Sequence, residues 1–418
     1  MREHRQWVPG SRRPPRLTAV RNGGGWYDAG VRPFQLAEGR LTGRYRGHPI
    51  TRREFLEAAW RSGRATAAGA LLAACGADLS QAAFQPATLA PSSTPLTSAT
   101  GTPRPQASVT PTAGGGEQRM GRVSLVNTED RAAGVRKAIE LLGNVPVDGK
   151  RVLLKPNFNS ADPPPGSTHN DILRSLVEWL WESGARSITV ADRSGMGDTR
   201  SVMRDKGVLD MARELGFDPV VLDELGRQDW EYLRPAESHW REGFFIARPC
   251  LEADVVVQTC CLKTHRYGGH FTLSLKNSVG LVAKTVPGDS YDFMNELHST
   301  AHQRRMIAEI NTAYAPSLIL MDGVEAFVNG GPDRGKKVDS KVVLAATDRV
   351  AMDAVGAALL RMYGTTPEVG RGRVFELEQI ARAVELGLGV ASAEEIEIVT
   401  GDRESAAYAD QVREVLVQ

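Results

Sequence analysis

From Arg122 onward, short apolar runs alternate with amphipathic stretches along the chain. Val123-Ser124-Leu125-Val126, Arg151-Val152-Leu153-Leu154, Ser187-Ile188-Thr189-Val190, Asp254-Val255-Val256-Val257, Ser317-Leu318-Ile319-Leu320 and Lys341-Val342-Val343-Leu344 predict strands, and Ile396-Glu397-Ile398-Val399 a late edge strand. Between them, helical spacing predicts helices near 130–142, 170–184 and 350–362. Continuous apolar runs joined by amphipathic helices are the signature of strands buried on both faces. The expected fold class is therefore α/β: one domain over 121–418 built on a mostly parallel, two-sided sheet of the doubly wound kind.

The polar residues that close these apolar runs are more informative than the runs themselves. Lys155 and Asn157 come after the second, Asp192 after the third, and Lys263 and His265 after the fourth. Asp322 and Glu325 come after the fifth, and Asp348 after the sixth. In a parallel sheet the C-terminal strand ends share one edge, where ligands bind. One such polar residue is an ordinary turn or helix cap. Five in succession predict a cleft at that edge.

The first 120 residues have a different pattern. Residues 1–49 are rich in Arg and Gly without hydrophobic periodicity, as an N-terminal extension from a start codon placed too far upstream would be. Thr51-Arg52-Arg53-Glu54-Phe55-Leu56 resembles a twin-arginine export signal, and the apolar run from Ala65 to Ala74 is the length of a signal-peptide core, too short to span a bilayer. It ends in Leu72-Ala73-Ala74-Cys75-Gly76, which resembles a lipobox, so Cys75 is the expected site of lipid attachment. Residues 76–120 hold twelve Ser/Thr and six Pro. They have too few apolar side chains for a core and read as a disordered tether. The expected partners are the twin-arginine translocase, the lipoprotein-processing enzymes and the membrane reached through the lipid. The expected location is the outer face of the cytoplasmic membrane or another envelope membrane.

Charge sharpens this division. The whole chain carries a formal +1, but residues 1–75 hold 14 Arg against 5 acidic residues, leaving a net charge of −8 on the rest. A domain that acidic is not expected to bind nucleic acid. Beyond Cys75 there are only Cys250, Cys260 and Cys261. No C-x-x-C spacing exists, so no iron–sulfur or zinc-ribbon motif is present. A bridge from Cys250 to one of the adjacent pair is compatible with an oxidising compartment.

Several motifs in order resemble the bacterial and archaeal family known as domain of unknown function 362. They are Val152-Leu153-Leu154-Lys155-Pro156-Asn157 with Asp162-Pro163-Pro164-Pro165, Leu262-Lys263-Thr264-His265, and Leu273-Ser274-Leu275-Lys276-Asn277-Ser278-Val279-Gly280. Met321-Asp322-Gly323 with Asn329-Gly330-Gly331-Pro332, and Thr347-Asp348-Arg349-Val350-Ala351-Met352-Asp353, complete the set. Arg349 replaces the family's usual proline, and the iron–sulfur cysteines appended in some relatives are absent. The resemblance implies a fold and a site rather than a reaction.

The densest chemistry lies in 262–284, where Lys263, His265, Arg266, His270, Lys276 and Lys284 surround Gly268-Gly269. Clustered Lys and Arg suit a carboxylate or phosphate, and glycines let a backbone approach it. His265 and Lys276 are the expected catalytic residues, with the imidazole moving a proton. Lys155, Asn157, Asp192, Lys263, Asn277 and Asn329 are expected to hold a small anionic ligand. Asp322, Glu325, Asp348 and Asp353 offer hard oxygen ligands for a divalent metal such as Mg²⁺ or Ca²⁺, the cofactor otherwise being unknown. His298 and His302, at i and i+4, are candidates for a shared helix face and a transition metal. The cluster of His265, Gly268, Gly269 and Lys276 is also faintly similar to that of nickel-pincer lactate racemases. No dinucleotide, P-loop, G-x-S-x-G or H-E-x-x-H motif is present. Three functions are compatible with these features: an enzyme acting on a small anionic substrate, a non-catalytic solute- or metal-binding lipoprotein, or a redox accessory protein using Cys250, Cys260 and Cys261.

Overall fold

The computed structural model describes residues 120–418 and three short N-terminal strands, β1 (Gln35–Ala37), β2 (Arg40–Tyr45) and β3 (His48–Ile50). These three form a small antiparallel sheet of their own. Arg52, Arg53, Cys75 and the expected tether up to residue 119 lie outside the described residues.

In the larger unit a nine-stranded sheet carries the fold. Its strands are β4 (Gly121–Asn127), β5 (Arg151–Lys155), β6 (Ser187–Asp192), β7 (Asp218–Val221), β10 (Val255–His265), β11 (His270–Thr272), β12 (Leu318–Gly330), β13 (Gly335–Ala346) and β14 (Ile396–Val399). A separate hairpin pairs β8 (Trp230–Leu233) with β9 (Phe244–Ala247). The sheet order is β14-β4-β13-β12-β10-β5-β6-β7, with β11 folded back on β10. β12, β10, β5, β6 and β7 run parallel, as does β14 beside β4.

Alternation along each strand sends side chains to two helical layers. Val152, Leu154, Val190, Val257 and Leu320 pack against α1 (Arg131–Leu142), α2 (Asn170–Glu182), α3 (Thr199–Asp205) and α4 (Val208–Leu215). Opposite them, Leu125, Leu262, Met321 and Leu344 meet α9 (Arg349–Met362), α11 (Glu378–Glu385) and α12 (Arg403–Leu416). Leu153, Ala191 and Val256 pack on β8, β9, α5 (Arg248–Glu252), α7 (Phe293–His298) and α8 (Gln303–Ile310). α10 (Pro367–Gly370) is a single turn. The amphipathic helices start where sequence caps sit: the side chains of Asp130, Asp198 and Asp348 accept backbone N–H groups of the first turns of α1, α3 and α9.

One strand runs against expectation. β13 is antiparallel to both β12 and β4. Only residues 331–334 join β12 to β13, and a hairpin can be closed by so short a segment whereas a parallel crossover cannot. Because Ala346 pairs with Ile319 at the start of β12, Asp348 emerges at the edge opposite the C-terminal ends of β5, β6 and β10. It therefore does not join their cleft.

Candidate functional site

The C-terminal ends of β5, β6 and β10 open into a cleft of about 460 Å³. Its floor is a chain of buried polar side chains. The Lys155 ammonium lies 2.7 Å from the Asp192 carboxylate. It also donates to the side-chain oxygen of Asn277 at 3.2 Å, which in turn accepts from the Asn157 amide at 3.3 Å. Asn157 passes the chain onward by accepting from Lys263 Nζ at 2.8 Å, and Lys263 donates again to the carbonyl of Gly166 at 2.6 Å. Three strands are thereby tied to the turn holding Asn277 through side chains that all face away from bulk water.

Asp192 also accepts the backbone N–H groups of Phe158 and Arg193 at 2.7 and 2.6 Å. Burial pushes the Asp192 carboxyl up and the Lys155 ammonium down. Their mutual attraction and the two N–H donors oppose that push and favour the ion pair. Gly280 makes room for it. A Cβ there would meet Asp192 Oδ1 at 2.5 Å and the Lys155 Nζ at 2.7 Å.

The reactive side of the cleft is carried by two short elements. His265 ends β10, and the β10–β11 hairpin turns through Gly268, whose φ of +79° suits glycine. Lys276 sits on α6 (Ser274–Asn277), a single turn whose Ser274 and Leu275 N–H groups donate to buried Asp353 of α9 at 2.7 and 3.2 Å. Lys276 and His265 flank Gly269: a Cβ there would lie 2.7 Å from Lys276 Cε and 3.0 Å from His265 Nδ1. His265 Nδ1 is buried with no hydrogen-bond partner among the described residues.

The electrostatics of this side are one-sided. Burial, and then repulsion from the cations Lys263 and Arg193, brings the Lys276 ammonium down to about 7. Burial, then Lys276 and Lys263, hold His265 far below the usual histidine range, so it is neutral near pH 7. His298, at the end of α7, is lowered by burial and by Lys276. Arg193 is buried, donating to the carbonyls of Val282 and Val279 at 2.7 and 2.5 Å. Around the cleft five Lys and Arg side chains face two carboxylates, Asp192 and Asp292.

The structure thus brings together eight residues expected from the sequence to form a site: Lys155, Asn157, Asp192, Lys263, His265, Lys276, Asn277 and Lys284. It does not bring Asn329, which is exposed on β12 and does not line the cleft. Nor do the four acidic residues converge. Asp322 and Glu325 are both ion-paired to Arg131 of α1, at 2.9 and 3.2 Å. Asp348 caps α9 and accepts from Val390 N–H, while Asp353 is occupied by the N–H groups of α6. No cluster of three or more metal-ligating side chains exists among the described residues. The expected Asp/Glu metal centre is thereby corrected: each carboxylate already serves a guanidinium or a helix start.

Two further expectations are corrected. His298 closes α7 whereas His302 precedes the first turn of α8, so the pair shares no helix face, and the His302 ring lies tilted against His239 with ring centroids 4.7 Å apart. Cys250, Cys260 and Cys261 are all free and buried, and burial pushes Cys250 up to about 12 and Cys261 to about 11. Thiol exchange needs an accessible thiolate, so these side chains do not suit a redox accessory role. The sequence reading missed Arg193, His298 and Met294 as cleft residues. Arg193 was signalled by its place directly after Asp192; Met294 gave no signal.

With the geometry in view, the chain can be set beside known proteins. Residues 152–358 match the family described as Domain of unknown function (DUF362). Every residue lining the cleft falls within this matched stretch, which runs from β5 into α9. Over 258 residues the chain is 28% identical to Thylakoid-associated protein sll1697 of Synechocystis sp., covering 58% of this chain and 76% of that protein. Among solved structures, the lactate racemase apoprotein from Thermoanaerobacterium thermosaccharolyticum aligns with 71% of this chain and 86% of its own, at 13% identity and a TM-score of 0.34.

Proposed function

We propose that the domain is an enzyme acting on a small anionic substrate held in the cleft beyond β5, β6 and β10. The observation that carries this reading is the pairing of Lys276 with His265 around Gly269: an amine without a counterion and an imidazole with an unpartnered buried nitrogen among the described residues, in a cleft lined by excess positive charge. A structural lysine at such depth is normally paired, because an isolated buried charge is costly. Lys155 is paired in this way, and Lys276 has no such partner among the described residues.

In this arrangement Lys155, Asp192, Asn157, Asn277 and Lys263 form the fixed floor. Lys276 is the group poised to exchange protons near neutral pH, and neutral His265 stands beside it with an unpartnered nitrogen that can take a proton in passing. The substrate's negative charge supplies what the cleft lacks, and the floor keeps its own polar groups hydrogen-bonded while the ligand comes and goes. Residues 50–75 would deliver this domain across the cytoplasmic membrane and attach it through Cys75 to that membrane's outer face or to another envelope membrane, with residues 76–120 as the spacer.

The test is binding followed by turnover. Full-length protein is titrated with acetate, lactate, pyruvate and inorganic phosphate, and thermal stability is read alongside exchange of the ligand's C–H protons with D₂O. Stabilisation by at least one anion, lost in Lys276→Met, together with exchange lost in His265→Ala, supports the enzyme. Stabilisation without exchange moves the reading to a binding protein, and no stabilisation by any anion overturns it.

A further inference from the structure

Resting on the anion-cleft reading above, we propose that Lys276 forms an imine with a small carbonyl compound that also bears a carboxylate, a 2-oxo acid being the simplest case. A lysine meant only to attract an anion gains from staying charged, and proteins keep such lysines solvated or near carboxylates. Lys276 is instead buried on a turn clamped by Asp353, is repelled by Lys263 and Arg193, and has no carboxylate within ion-pair distance among the described residues. Desolvation and neighbouring cations are the two ways a lysine is held as the free amine needed for attack on a carbonyl. Burial holds this one near neutrality, at about 7.

The neighbours complete the chemistry. Imine formation begins as the amine nitrogen attacks the carbonyl carbon and the oxygen takes up a proton, giving a carbinolamine. Loss of water carries away that oxygen with a second proton, and the nitrogen lone pair closes the C=N bond. The net change consumes the amine, the carbonyl and one proton, and yields an iminium and water. Neutral His265, across Gly269 from Lys276, stands where it can take the proton shed by nitrogen and return it to the departing hydroxyl. The remaining cations of the cleft keep an attraction for the substrate's carboxylate even when Lys276 has become neutral. A volume of about 460 Å³ admits an acid of a few carbons and is within the usual size of ligand sites.

Reductive trapping decides the matter. Full-length protein is incubated with pyruvate and cyanoborohydride, and modified lysines are located by peptide mass mapping, with lactate and sulfate as carbonyl-free anions in parallel thermal measurements. The expected result is a carboxyethyl adduct on Lys276 at near stoichiometric yield and at least tenfold faster than on any surface lysine. Lys276→Met should lose that adduct, and His265→Ala should form it at least tenfold more slowly while keeping the same folded spectrum. Adducts spread evenly over lysines, at equal total yield in Lys276→Met, would overturn the imine. If lactate or sulfate stabilises the protein but no Lys276 adduct forms, the imine fails and the anion cleft survives; if neither anion stabilises and no adduct forms, both fail.

Discussion

Lys155 and Asp192 meet at 2.7 Å beside Gly280, where a Cβ would collide with both charged groups. Both are almost wholly buried, at 1% exposure each. Removing one partner of a buried pair strands the other's charge at a cost of ~3–5 kcal/mol. Asp192→Asn should therefore destabilise the domain by that order in denaturant unfolding, and Lys155→Met added to it should recover part of the loss. Gly280→Ala should be destabilising in the same way, since its methyl would enter the space the pair occupies.

Gly269 makes a contrasting case. The atoms that its Cβ would meet are the flexible end of Lys276 and the ring of His265, at 2.7 and 3.0 Å. Its backbone has no positive φ to preserve. Gly269→Ala is thus expected to change Tm little while weakening small-anion binding about tenfold or more, measured by thermal shift and calorimetry on the same preparation.

Lys276 links the cleft to stability. Its folded value of about 7 lies below the ordinary 10.5, so between those values the unfolded chain binds a proton that the folded one does not. Stability then rises with pH across that window, and the full cost of the buried charge is felt below pH 7. Lys276→Met should melt higher than the parent protein, most clearly at pH 6, with the gap closing towards pH 10. Each kcal/mol recovered corresponds to roughly 2–4 °C.

Asp353 has the opposite sign. Burial raises it from 3.8 to about 8 despite its N–H donors on Ser274 and Leu275, so the folded state favours the neutral acid. Its contribution is complete below the ordinary carboxylate range and is lost as pH rises through about 8. Asp353→Asn, which keeps an acceptor for α6, should gain stability relative to the parent above pH 8. Asp353→Ala should lose stability at every pH, because it leaves buried N–H groups unpaired.

The export reading makes its own prediction. Cys75→Ser should abolish incorporation of a labelled fatty acid and move the protein from the membrane to the soluble fraction of an exporting host. Arg52→Lys with Arg53→Lys should leave the unprocessed chain inside the cell.

Much of this site was legible in the linear chain because parallel strands deliver their C-terminal residues to one edge. Lys155, Asp192, Lys263 and His265 each close an apolar run, and each reaches the cleft. Asp348 closes such a run too and ends at the other edge, because β13 turns back beside β12 through residues 331–334. The outer half of that hairpin pairs Glu325 with Asp339 and Phe327 with Lys337, polar positions on one strand that give no apolar period to read. Strand order, and with it the fate of the acidic residues, depends on which strands pair rather than on what each contains. His298 was visible as a residue, but its separation from His302 rests on the break between α7 and α8 at 299–302.

The claim that Lys276 and an incoming anion share this cleft can be tested on Lys276 itself. Lysine side chains are labelled with ¹³C at Cε, the Lys276 resonance is assigned by its loss in Lys276→Met, and its titration is followed with and without pyruvate or phosphate. A midpoint near 7 in the free protein, moved upward by a non-covalently bound anion such as phosphate, is the predicted result. A midpoint near the ordinary lysine value of about 10.4, indifferent to every anion added, would contradict it.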